Sequence, residues 1–162
     1  MSVPRIGFAC QYRHPDRSLP AGELKTIEAA YNPRTTTLRW MDSVSQAVAY
    51  AKLGEIVEHN LQAQLRLLTY VATLPKPLQM LRLSSDLLPF YSHPKVAAFY
   101  QRPEMEQRLI DGFAAIGEVA RATNIRLSMH PGQYCVLGSD RPDVVENSLA
   151  EFEYHADMIR MM

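Results

Sequence analysis

Apolar residues along this chain recur alternately at short-range and at helical spacing, and the alternation predicts a β-α-β-α-β-α order. Arg5-Ile-Gly-Phe-Ala-Cys10 reads as a first short strand. A long helix capped by Asp42 or Ser43 follows, with Val44, Ala47, Ala51, Val57, Leu61, Leu65, Leu68 and Ala72 near the 3.6-residue period; Pro75 and Pro77 stop it. Leu78–Leu83 is a second strand. A second helix begins at Pro103, a residue suited to a first turn, buries Met105, Leu109, Phe113, Ile116 and Ala120, and ends near Asn124. Ile125–Met129 is the third strand. Ser139 or Asp140 then caps a third helix whose inward face is read as Val145, Leu149, Phe152, Ala156 and Ile159. Segments 11–41 and 84–101 show little periodicity and are expected to be loops, long enough to carry function.

This order predicts an α/β fold, a parallel sheet with helices packed outside it, in a single domain over residues 1–162. A three-strand parallel sheet leaves apolar edges open, so the chain reads as part of a larger fold, prone to self-association. Hydrophobic residues make up 47% and charged residues 21%, which fits a globular protein. No apolar run approaches the roughly 20 residues of a membrane span. The amino terminus has no signal-peptide pattern, so the expected location is cytoplasmic. With 17 basic and 17 acidic residues the formal charge is zero, and composition lends no support to nucleic-acid binding. Cys10 and Cys135 are too few for a disulfide framework and are expected to be reduced.

The most informative run is Ile125-Arg-Leu-Ser-Met-His-Pro-Gly-Gln-Tyr134. A strand ends in His130, and Pro131-Gly132 turns the chain. Strand ends of this kind are where α/β enzymes place catalytic and metal-binding groups. A buried histidine bonding nearby backbone is the other reading. His93, in the loop after the second strand, can join His130 on a metal, because neutral imidazole is a common ligand; Ser92-His93-Pro94 can equally be a solvent-facing turn. Asp86 is an oxygen donor by type, and its expected role is to cap a turn. His14, His59 and His155 read as surface or helix-face residues. Gln133 and Tyr134, at the tip of a tight turn, can stack on or wedge beside nucleobases. Alternatively, Tyr134 closes the rim of the core with its hydroxyl in water.

Several stretches together resemble the UV-damage endonuclease family of DNA repair enzymes: Arg5–Cys10, Arg34-Thr-Thr-Thr-Leu38, Glu58-His-Asn-Leu61, Arg82-Leu-Ser-Ser-Asp-Leu-Leu-Pro-Phe-Tyr-Ser-His-Pro94 and Arg126-Leu-Ser-Met-His-Pro-Gly-Gln-Tyr134, continuing through Val144–Leu149 to Tyr154. The resemblance implies a (β/α)8 TIM barrel, here about three β-α units of it. It also implies a cluster of divalent ions, usually manganese, and incision immediately 5′ to UV photoproducts in damaged double-stranded DNA. His93 and His130 match two metal ligands of the family; Gln133 and Tyr134 match the pair inserted at the lesion. At the first strand the match is poorer, and no role carries over to Phe8 or Tyr12. A complete barrel typically has about 250 residues. Activity is therefore expected to need a further half-barrel, from a separate carboxyl-terminal polypeptide or through self-association. The alternatives are an inactive remnant that binds metal or DNA weakly, and a sugar-isomerase-like barrel fragment, against which the projecting Gln133-Tyr134 pair argues.

Overall fold

The computed structural model describes residues 4–132 and 135–162. Strand β1 (Phe8–Ala9) is followed by helices α1 (Ala21–Tyr31), α2 (Leu38–Asp42) and α3 (Gln46–Ala72). Strand β2 (Met80–Leu83) is followed by α4 (Pro94–Tyr100) and α5 (Pro103–Thr123), and β3 (Arg126–Met129) by α6 (Pro142–Met161). The strands are parallel and lie in chain order, β1-β2-β3. Phe8 pairs with Leu81, and Leu81 in turn with Leu127. Parallel neighbours in sequence order put the loops after each strand at one end of the sheet.

Alternation along β2 sends Leu81 and Leu83 inward, both fully buried. They join a core shared with Leu53, Val57, Leu67, Leu68 and Val71 of α3 and Phe113 and Ile116 of α5. Two close approaches make this possible. A Cβ on Gly7 would lie 1.7 Å from the Met80 carbonyl oxygen, so β1 reaches β2 only because residue 7 has no side chain. A Cβ on Gly112 would lie 2.7 Å from Leu61, which lets α3 and α5 cross tightly.

Helix α5 meets its sequence expectation: Met105, Leu109, Phe113, Ile116 and Ala120 are all buried, and Asn124 ends it in a left-handed conformation at φ 53°. Elsewhere the structure differs. Segment 11–41 is not one loop but contains α1 and α2. The inward stripe of α1 runs Leu24, Ile27, Glu28 and Tyr31, and the buried carboxylate of Glu28 interrupts its apolar period. Within 84–101, α4 buries Val96, Phe99 and Tyr100, two turns being too few to show a period. Helix α3 is capped by Ser45 rather than Asp42 or Ser43; Val57, Leu61 and Leu68 are buried as expected, whereas in its first turns Ala49, Tyr50, Leu53 and Ile56 face inward and Ala47 and Ala51 are exposed. On α6 the inward residues are Ser148, Tyr154, His155 and Met158, while Leu149, Phe152 and Ile159 are 53%, 42% and 57% exposed.

Glu28 holds the β1–α1 loop. It accepts from the His14 amide at 3.0 Å and pairs with Arg13 at 2.9 Å and with Arg17. The amide first, then the guanidiniums, hold its carboxyl down to about 2 from the ordinary 4.5. A depressed folded pKa contributes stability that is present above the unfolded value and is lost as pH falls through the folded one. Denaturant midpoints of the wild type should therefore drop more steeply between pH 4.5 and about 2 than those of Glu28→Gln; equal slopes would contradict this role.

Candidate functional site

β2 and β3 are hydrogen-bonded neighbours, and each delivers one candidate histidine to the carboxyl end of the sheet. His130 follows Met129 directly and is exposed. His93 lies ten residues beyond Leu83, half-buried, as the N-cap of α4. Its Nδ1 accepts from the Lys95 amide at 3.2 Å. A backbone amide can only donate, so Nδ1 carries the lone pair and neutral His93 holds its proton on Nε2. An ion taken at Nε2 must displace that proton, and a proton returned to Nδ1 ends the cap.

The loop that carries His93 is braced from three helices. Tyr154 of α6 accepts from the Leu88 amide at 3.1 Å and donates to the Ser85 carbonyl at 2.9 Å. Tyr100 of α4 donates to the Pro89 carbonyl at 2.8 Å. Asn60 of α3, fully buried, donates to the carbonyls of Leu87 at 3.0 Å and Arg34 at 2.9 Å and accepts from the Arg34 amide at 2.6 Å. The Asp86 carbonyl, 3.3 Å from the same nitrogen, shares one of its two hydrogens. Burial raises the pKa of both Tyr100 and Tyr154, so each keeps the proton that it donates. Within this loop Phe90 sits at φ 61°, a conformation a bulky side chain adopts only when its surroundings over-determine it.

The loop after β3 is tied in a similar way. Ser148 of α6, buried, accepts from the Val136 amide at 2.8 Å and returns its own proton to Val144 at 2.7 Å. The thiol of Cys135 reaches the Ser148 carbonyl at 3.5 Å; both cysteines are free. Gln133 and Tyr134, the expected wedge, lie outside the described residues.

Two other expectations, those for Asp86 and His155, are corrected. Asp86 caps no turn: the Ser84 hydroxyl accepts from the Asp86 amide at 3.1 Å, and Asp86 is exposed. His155 is not on the surface. It is buried, its Nδ1 donates to the Glu151 carbonyl at 2.7 Å, and its Nε2 has no partner among the described residues. His59 donates Nε2 to the Asn32 carbonyl at 3.1 Å, and burial lowers its pKa. Tyr12 is core, its ring 4.5 Å from that of Tyr31. Asn60, Ser148 and Tyr154 have no assigned role in the sequence reading. Their signals are a polar side chain placed among apolar neighbours at helical spacing and a place within the stretches that resemble the family.

Comparison with known proteins now decides the family. The family model described as UV-endonuclease UvdE matches residues 5–162. The chain belongs to this family. A UV-damage endonuclease of Neurospora crassa is 39% identical over 85 residues, covering 52% of this chain and 12% of that protein. A UV DNA damage endonuclease of Bacillus thuringiensis is 29% identical over 126 residues, covering 75% of this chain and 36% of the relative. The solved structure titled "Crystal Structure of SacUVDE" superposes with a TM-score of 0.72 at 26% identity, over 98% of this chain and 46% of that one. This UvdE-family chain therefore spans less than half the length of the relatives it matches. Among the described residues no helix is long and apolar enough to cross a membrane.

Two imidazoles on the loops that follow adjacent strands suit a divalent ion by donor type. By number they do not complete a site: no group of three or more His, Cys, Asp or Glu side chains gathers among the described residues. If His93 takes an ion, the cap must respond. Titration with Zn²⁺, a diamagnetic probe, should move the Lys95 amide resonance together with the His93 ring signals. A Lys95 amide that stays fixed while the His93 ring shifts would contradict the proton assignment.

Proposed function

We propose that these residues form β-α units of a (β/α)8 barrel and carry one part of a UV-damage endonuclease site, which hydrolyses the phosphodiester 5′ to UV photoproducts in damaged duplex DNA. The observation that carries this reading is the family match over residues 5–162 together with the delivery of His93 and His130 by paired neighbouring strands. The sequential parallel order is that of consecutive barrel strands.

In this reading His93 and His130 hold a divalent ion, manganese by the family resemblance, and further donors come from outside these 162 residues. The ion, when bound, supplies Lewis acidity to phosphodiester hydrolysis. The chain's own part is to present two imidazoles at a fixed end of the sheet, and to present Gln133 and Tyr134 to the bases at the lesion. An aromatic that stacks on a displaced base contributes about 1–3 kcal/mol. A second reading, binding of ion or DNA without incision, is favoured by the lack of any group of three or more His, Cys, Asp or Glu side chains among the described residues.

Incision is tested with Mn²⁺ and a duplex bearing one thymine dimer. The chain is assayed alone and with the part of the Bacillus thuringiensis relative that the match leaves uncovered. A nick on the 5′ side of the dimer is expected from the complemented protein and should vanish in His130→Ala. Tyr134→Ala should weaken preference for damaged over intact duplex roughly 5- to 100-fold, the range that stacking sets, with ion binding kept. No nick under either condition overturns the endonuclease reading and leaves binding alone. Loss of ion binding in Tyr134→Ala would overturn the role given to Tyr134.

A further inference from the structure

We propose that α6 is a bracket that fixes the spacing of the two histidine loops, with Tyr154 and Ser148 as its positioning residues. The inference rests on reading His93 and His130 as ion ligands. One helix bonds both loops. Ser148 holds the Val136 amide in the loop that follows His130, and six residues on, Tyr154 holds Ser85 and Leu88 in the loop that leads to His93. Both side chains are buried, at 2% and 3% exposure, so neither bond competes with water. Both hydroxyls donate as well as accept, and each is thereby held in one orientation.

The apolar stripe Leu149, Phe152 and Ile159 would bury more hydrocarbon if it faced the core, yet α6 turns Ser148 and Tyr154 inward instead. That orientation is explained by the four backbone and side-chain bonds the two hydroxyls make. Further bracing comes from Tyr91, whose ring lies 5.1 Å from that of Tyr154 and whose hydroxyl donates to Asp157 of the same helix at 3.2 Å. Two loops that each carry one ligand bind an ion jointly only if their separation is already set, because an ion that must first draw the loops together binds more weakly.

The test uses the 162-residue chain titrated with Zn²⁺ alone, read by NMR at the rings of His93 and His130, with amide hydrogen exchange at Leu88 and Val136. In the wild type both rings should report one ion with one affinity. Tyr154→Phe keeps the ring and removes only the hydroxyl. It should weaken the shared affinity about five- to tenfold, the scale of one hydrogen bond, and speed exchange at Leu88. Ser148→Ala should do the same for affinity and speed exchange at Val136, and Ser148→Thr, which keeps a hydroxyl, should restore both. Wild-type affinity in both variants despite faster exchange overturns the bracket and leaves the ligand assignment standing. If Zn²⁺ moves neither ring of the wild type, the ligand assignment itself fails, and the bracket with it.

Discussion

A buried backbone amide or carbonyl must find a partner, and after β2 the chain leaves the sheet while still inside the protein. From Ser85 to Pro89 no ladder partner is at hand, and the carbonyls of Ser85, Leu87 and Pro89 and the amide of Leu88 are satisfied by Tyr154, Asn60 and Tyr100. That constraint explains why α3, α4 and α6 each spend a polar residue on their inward face. It also explains why Phe90 tolerates a left-handed backbone, since a loop tied at several consecutive residues cannot relax around it. The backbone leading to His93 is thereby held by side chains of three helices.

The same logic sets the end of the sheet where chemistry is proposed. Parallel pairing of β2 with β3 places the two histidine loops side by side, and α6 reaches both. His93 begins α4 with Nδ1 turned to the helix, which commits Nε2 as the nitrogen left over for any ligand. The protein thus couples the proposed ligand position to the first turn of a helix. Membership of the UV-endonuclease UvdE family gives this arrangement its context, and the bonds themselves are readable without it.

How far the sequence foretold this depends on where apolar residues stand alone as a signal. Five of the six buried positions of α5, all but Gly117, were legible because each is apolar and twenty-one residues give several repeats of the period. Helix α1 was not, since Glu28 occupies an inward position that an ion-paired carboxylate fills. The face of α6 was read from Val145, Leu149, Phe152, Ala156 and Ile159, whereas Ser148, Tyr154 and His155 turn inward to meet backbone partners that no periodicity can display. His130 was legible because strand-then-turn punctuation marks the end of a strand, and His93 because Ser92-His93-Pro94 lies in the loop after the neighbouring one. Their supports were not, because a polar residue on a helix looks like a solvated one until its partner, over sixty residues away for Tyr154, is known.

The central claim is that two strand-end histidines, held by α6, can share one ion. Anomalous scattering from a crystal of this chain soaked in Mn²⁺ addresses it directly. A single peak within ligand distance of both His93 Nε2 and an imidazole nitrogen of His130, with the Lys95 amide released from Nδ1, is the predicted result. Peaks elsewhere, or separate ions on the two rings with the α4 cap intact, would contradict the account.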